Sequence, residues 1–183
     1  EPEPEPSNAI PIIDLVSAVS VPENSVQVAS TSTSDVDGDS LTLSLSGDDA
    51  VKFSINQSTG ALTFTTAPNF ESPTDANVDN SYRVTVTVSD GTDQASQAVA
   101  VSVTDVNETP VITAVNSAAP ASSGFTNVSA AEGQTSAFSV TASDPESDSL
   151  SYSITGVDAS LFSISSEGVV TFKSAPDFEI PLD

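Results

Sequence analysis

The chain has 183 residues, with 3 lysines and arginines against 26 aspartates and glutamates, a net charge of −23. That balance repels nucleic acid and anionic membranes and attracts cations. The sequence contains no Cys, His, Met or Trp, which excludes disulfides, thiolate or imidazole metal sites and every nucleophile paired with histidine. Oxygen is the only metal donor left, and a flexible set of carboxylate, amide and backbone oxygens suits calcium better than magnesium.

In chain order, Glu1-Pro2-Glu3-Pro4-Glu5-Pro6 is an acidic proline alternation, expected to be an extended, solvated spacer that makes 1–9 a linker. From Ile10 onward, short apolar and β-branched runs alternate with Thr and Ser. Strands are predicted over 12–16, 26–31, 41–45, 53–55 and 61–64, with Ser58-Thr59-Gly60 as a turn. The run Tyr82-Arg83-Val84-Thr85-Val86-Thr87-Val88-Ser89 alternates at period two, as does the run through Val99, Val101 and Val103, with Asp90-Gly91 turning between them. These seven short strands without a helix predict a Greek-key β-sandwich over 10–106. Phe53, Phe64, Phe70 and Tyr82 are expected as its aromatic core.

The pattern then repeats. Asp35-Val36-Asp37-Gly38-Asp39-Ser40-Leu41 returns as Asp144-Pro145-Glu146-Ser147-Asp148-Ser149-Leu150, and Ala67-Pro68-Asn69-Phe70-Glu71 returns as Ala175-Pro176-Asp177-Phe178-Glu179. Self-similarity of this length marks a second copy of one structural unit. It occupies 107–183, with Tyr152, Phe162, Phe172 and Phe178 expected in its core. Counterparts of the Tyr82 and Val99 strands do not occur in it, so the second sandwich reads as incomplete, either truncated or split by an inserted domain. Between Pro110 and Glu132 it also carries a longer segment, Ala118 to Gly124, expected as a surface loop. The fold expected overall is all-β: tandem seven-stranded Greek-key sandwiches, the second lacking two strands.

Between the copies lies Asp105-Val106-Asn107-Glu108-Thr109-Pro110, rich in oxygen donors and closed by a proline that holds the chain extended. Together with Glu23 in Val21-Pro22-Glu23-Asn24, Glu71 after Asn69-Phe70, and the Asp-x-Asp pair, this linker resembles the calcium motifs of cadherin repeats. The likeness is strongest to the bacterial cadherin-like repeats of large surface adhesins. The resemblance implies a ligand set at the junction: Glu23 and Glu71 from the first repeat, Asp105, Asn107, Glu108 and the Val106 carbonyl from the linker, and Asp144 with Glu146 from the second repeat. It implies a poorer set at the opposite end of the first repeat, where Asp90 joins Asp35 and Asp37. Asn69 and Glu146 depart from the family pattern, in which Asp is usual. Asp39, Asp48, Asp49, Asp93, Asp148 and Asp158 read instead as solvated turn residues.

The function expected is therefore non-enzymatic: a calcium-binding extender and adhesion segment at a bacterial cell surface or outside the cell. Its partners would be calcium, neighbouring repeats of the same polypeptide, and a surface glycan or protein. A calcium-dependent carbohydrate-binding module, or a split platform presenting an inserted ligand-binding domain, is the alternative. Paired-carboxylate glycoside hydrolysis lacks a cleft and an aromatic platform.

Overall fold

The computed structural model describes residues 8–116, 121 and 126–181. The acidic proline alternation at 1–6 and most of the segment 118–124 lie outside the described residues. The chain divides into two units, Glu1–Val106 and Asn107–Asp183, and each is taken by itself. Among the described residues there is no α-helix, only two short 3-10 turns.

Unit 1 contains β1 (Ile12–Asp14), β2 (Ala18–Pro22), β3 (Gln27–Ser30), β4 (Ser32–Ser34), β5 (Thr42–Ser46), β6 (Phe53–Ile55), β7 (Ala61–Phe64), β8 (Ser81–Ser89) and β9 (Gln94–Thr104). One sheet runs β2-β9-β8-β5; the facing one runs β3-β7-β6, with β1 and β4 pairing beside it. Only Thr31 separates β3 from β4, so the strand expected over 26–31 continues past a break at Thr31 into β4, which was not among those predicted. That break has a cause: the Thr31 amide donates to the carbonyl of Gly60 at 2.9 Å. Gly60 adopts φ +67°, and a Cβ there would strike the Thr31 carbonyl oxygen. Similarly, β1 and β2 are halves of one strand that changes sheets. Counted this way, unit 1 is a seven-stranded sandwich.

The core follows from period-two alternation. Tyr82, Val84, Val86 and Val88 of β8 are buried, as are Val99, Val101 and Val103 of β9, while the residues between them face outward. Phe53 and Phe64 stack at 4.6 Å, and Tyr82 meets Phe64 edge-on at 5.1 Å. Leu62, Val21 and Val28 complete the cluster, with Phe70 packed on its margin. The β2 strand was not among those predicted. Its short Ala-Val-Ser-Val-Pro run ends in a proline, and it pairs parallel to β9 over Ala18↔Ala100 to Pro22↔Thr104, an edge position where proline is tolerated.

Unit 2 contains β10 (Val111–Val115), β11 (Ser136–Ser143), β12 (Phe162–Ile164) and β13 (Val169–Phe172) in one sheet of order β10-β11-β13-β12. It reproduces one layer of unit 1 closely. Gly168 takes φ +78° and meets the Val140 carbonyl as Gly60 meets Thr31, and the Val140 amide donates to Gly168 at 2.8 Å. Among its described residues no strand corresponds to β8 or β9. Residues 151–155, which match β5 in sequence, form no strand, because β5 owes its pairing to β8 alone. Burial is correspondingly shallow. Val170 is buried, Tyr152, Phe162 and Phe172 are half-buried, and Phe178, expected in the core, is 84 % exposed.

Candidate metal centres

At one end of unit 1, three elements deliver carboxylates to one place. Glu23 follows β2, Glu71 lies in the loop after β7, and Asp105 follows β9. One oxygen from each lies within 4.8 Å of the others. Glu23 is the anchor: it is 3 % exposed. Its Oε2 accepts the amide of Phe70 at 2.8 Å and its Oε1 the amide of Val106 at 2.9 Å, while its own amide donates to Thr104 at 3.0 Å. Both oxygens keep further acceptor capacity for a cation. Like charges at this spacing repel by about 1–4 kcal/mol per pair, depending on solvent exposure.

The opposite end of unit 1 is built on the loop after β4. Asp35 Oδ1 accepts the amides of Asp37 at 2.8 Å and Asp39 at 3.4 Å, and Gly38 takes φ +80°. The carboxylates of Asp35, Asp37 and Asp39 converge within 4.8 Å, with Asp37 and Asp39 exposed. Asp35 Oδ2 is buried and accepts no hydrogen bond. Asp90 stands apart from the three. Its Oδ2 accepts Asn8 Nδ2 at 3.0 Å, Asp93 accepts the same nitrogen at 2.9 Å, and the next amide, of Ala9, donates to Asp37 at 2.7 Å. The Asn8 side chain, helped by the Asp93 and Thr92 amides, holds the Asp90 carboxyl below the usual carboxylate range.

Unit 2 repeats the loop. Asp144 Oδ1 accepts the Asp148 amide at 3.2 Å, and Ser147 takes the left-handed φ of 62° where the first copy has glycine. Glu146 Oε2 accepts the Glu108 amide at 3.3 Å, whereas Glu146 Oε1 is buried without a hydrogen-bond partner. A hydrogen bond with the Glu108 carboxyl, present while the pair shares a proton, and a smaller one with Asp144 hold the Glu146 carboxyl below its ordinary range. Asn107 Nδ2 donates to the Glu108 carbonyl at 2.9 Å. A further set, Glu132, Asp177 and Glu179, converges within 4.8 Å at the other end of the sheet, where Glu132 accepts the Phe178 amide at 3.0 Å as Glu23 accepts that of Phe70.

Two acidic residues of unit 1 have another role. Asp49, expected as a solvated turn residue, is 3 % exposed and accepts the amides of Ala76 and Arg83, each at 2.7 Å. Asp75 is buried and accepts those of Asp79 at 2.9 Å and Asn80 at 3.1 Å. Burial alone would raise the Asp75 carboxyl, but these backbone donors outweigh it and set it below the usual range. Both pin the loop between β7 and β8. The sequence signal for Asp49 is the recurrence of Gly47-x-Asp49-Ala50 as Gly156-x-Asp158-Ala159.

Residues 8–104 match the profile of a family described as a bacterial Ig domain. No curated protein matches the sequence. Among solved structures, the EC1–2 fragment of human protocadherin-24 aligns with a TM-score of 0.56 at 23% identity, covering 93% of this chain and 81% of that one. The EC1–4 fragment of Drosophila N-cadherin aligns at 0.53 and 20% identity, covering 94% of this chain and 42% of that one. At these identities the likeness is one of fold.

Proposed function

The chain belongs to the bacterial Ig domain family, and we propose that it is a calcium-binding pair of cadherin-like sandwiches in a secreted or cell-surface adhesin, serving as extender and adhesion segment without enzymatic activity. The observation that carries this reading is the Glu23, Glu71 and Asp105 set, with Glu23 buried and fixed at both oxygens. The donors fit calcium: they are oxygens only, they come from separate loops that can adjust, and the buried Asp35 Oδ2 and Glu146 Oε1 are left with acceptor capacity.

Glu23, Glu71, Asp105 and the Val106 carbonyl would hold calcium for unit 1, and Asn107, Glu108, Asp144 and Glu146 would do so for unit 2. Asp35 and Asp37 would form the poorer set at the far end of unit 1, joined by Asp90, which is tied to Asp37 through Asn8 and the Ala9 amide. Calcium, when bound, supplies the positive charge that offsets carboxylate repulsion. Glu23 ties the Phe70 loop to the exit of β9, and in the Asp35 and Asp144 loops backbone amides donate to the carboxylates. The linker Asp105-Val106-Asn107-Glu108 has donors on both sides of the unit boundary, so occupancy would stiffen it. Partners then include adjoining repeats and a surface glycan or protein at the adhesive end.

Calorimetric titration with calcium tests the reading. Binding in the micromolar to millimolar range, weakened at least tenfold by Glu71→Ala, is expected. A chain that takes up no calcium at millimolar concentration would sink it.

A further inference from the structure

The larger sheet of unit 1 ends in β2 on one side and β5 on the other, and the two edges are protected differently. β2 ends in Pro22, which cannot donate to an arriving strand. β5 has no such device of its own: residues 40–47, Ser-Leu-Thr-Leu-Ser-Leu-Ser-Gly, contain neither proline nor a charged side chain. In a chain of net charge −23, two copies of this strand could meet without placing carboxylates opposite each other. An uncharged edge of alternating Leu with Ser or Thr is a template for pairing.

What faces that edge is Gln57. Its Oε1 accepts the Leu43 amide at 2.8 Å, and its Nε2 donates to the Leu43 carbonyl at 2.7 Å. A carboxamide carries the donor and the acceptor of a peptide group, so this one side chain pairs with β5 as a residue of a neighbouring strand would. The two bonds also fix which backbone groups point outward. Leu43 lies opposite Val88 and Leu45 opposite Val86, and the alternation of an antiparallel pair turns the amides and carbonyls of Leu43 and Leu45 away from β8 while those of Thr42, Ser44 and Ser46 face it. Within β5 an arriving strand has Leu43 and Leu45 to pair with, and Gln57 already holds the first.

Gln57 belongs to the other layer. It stands between β6 and β7 of the facing sheet, in a turn fixed by its own hydrogen bonds. Asn56 Oδ1 accepts the amides of Ser58 and Thr59, each at 2.9 Å, and the Asn56 carbonyl accepts that of Gly60 at 2.9 Å. The side chain thus spans from one sheet to the edge of the other.

We infer that β5 is a pairing surface for the β5 of a second copy, held closed by Gln57. With the carboxamide in place only Leu45 is open, too short a stretch to hold a strand. Without it, two copies pair β5 antiparallel to β5 about a two-fold axis at Ser44, the Leu43 of each exchanging backbone hydrogen bonds with the Leu45 of the other.

The test compares the whole chain with Gln57→Ala and Gln57→Glu by sedimentation and amide exchange. It uses chelator, which keeps the outcome independent of the calcium reading, and about 1 M sodium chloride, where the screening length is about 3 Å. Gln57 is exposed, so neither change touches the core. Gln57→Ala is expected to self-associate at least tenfold more tightly than the parent. When dilute, its Leu43 amide should exchange at least tenfold faster than in the parent; when concentrated, protection should return at Leu43 and Leu45 together. Gln57→Glu keeps an acceptor for the Leu43 amide and adds a charge to the edge, so its exchange and association should stay near those of the parent. Unchanged association of Gln57→Ala, association that protects residues outside β5, a Leu43 amide indifferent to the change, or Gln57→Glu associating as Gln57→Ala does would each overturn the inference.

Discussion

Asp49 is 3 % exposed and commits both carboxylate oxygens to backbone amides, those of Ala76 and Arg83. Replacing it with alanine leaves two part-buried amides without their acceptor, at a cost of about 1–3 kcal/mol. Urea unfolding should register that loss, while Asp48→Ala, at an exposed neighbour, stays within about 0.5 kcal/mol of the parent. Asp75 gives a pH signature of known sign. Its folded-state carboxyl lies below the ordinary range, so its stabilisation is fully present above the unfolded value of about 3.9 and is lost as pH falls through the folded one. Melting temperature should therefore fall more steeply on acidification below about pH 4 in the parent than in Asp75→Asn. Neither residue was legible as a loop anchor in the sequence. Ser-Gly-Asp-Asp reads as a polar turn, and whether its second carboxylate faces solvent depends on a loop that arrives from some thirty residues later. The repeat spoke more clearly for Glu23 and Glu71, because each copy keeps a glutamate there and the structure brings both to Asp105.

Strands with strong alternation were readable directly. The β8 and β9 pattern leaves little choice of inward face, since a slip of one residue would expose Tyr82, Val84, Val86 and Val88 together. The continuation of the 26–31 strand past Thr31 into β4 and the β2 strand were not readable. The first depends on the Gly60 carbonyl reaching Thr31 from the turn before β7, and the second on a parallel pairing between opposite ends of unit 1. Gly60 is the sequence-local half of that break, and it can be tested. Gly60→Ala places a side chain in the left-handed region, costing about 1–2 kcal/mol, and drives its Cβ onto the Thr31 carbonyl. Chemical denaturation should show a loss larger than the conformational term alone, with a similar penalty for Gly168→Ala in unit 2. The exposed Phe178 shows the limit of reading the copies as equals. Its counterpart Phe70 rests on a core that includes Tyr82, and among the described residues of unit 2 nothing takes that place.

For the molecule as a whole, a net charge of −23 makes stability depend on counterions, and the converging carboxylates concentrate that dependence at the ends of the units. Calcium at about a hundredfold above its dissociation constant should add about 2.7 kcal/mol per site, visible as a rise in melting temperature that chelator reverses and sodium chloride only partly reproduces. Small-angle scattering should report a longer, narrower distribution of end-to-end distances with calcium than with chelator, and an unchanged distribution would argue against a stiffened linker. The parallel pairing of β2 with β9 bears on what such a segment does under load. Because β1 and β2 are the two halves of the first strand of unit 1 and β9 is its last, tension applied at its two ends pulls β2 and β9 along their length in opposite directions. The hydrogen bonds from Ala18 to Thr104 are then strained all at once, as in a sheared lap joint, instead of being peeled one by one. The bond from Glu23 to the Val106 amide lies at the exit of that joint. Single-molecule pulling with handles at Ala9 and Asp105 should therefore give a higher rupture force than pulling with one handle moved to Gly91, where the β8–β9 hairpin can unzip from its turn.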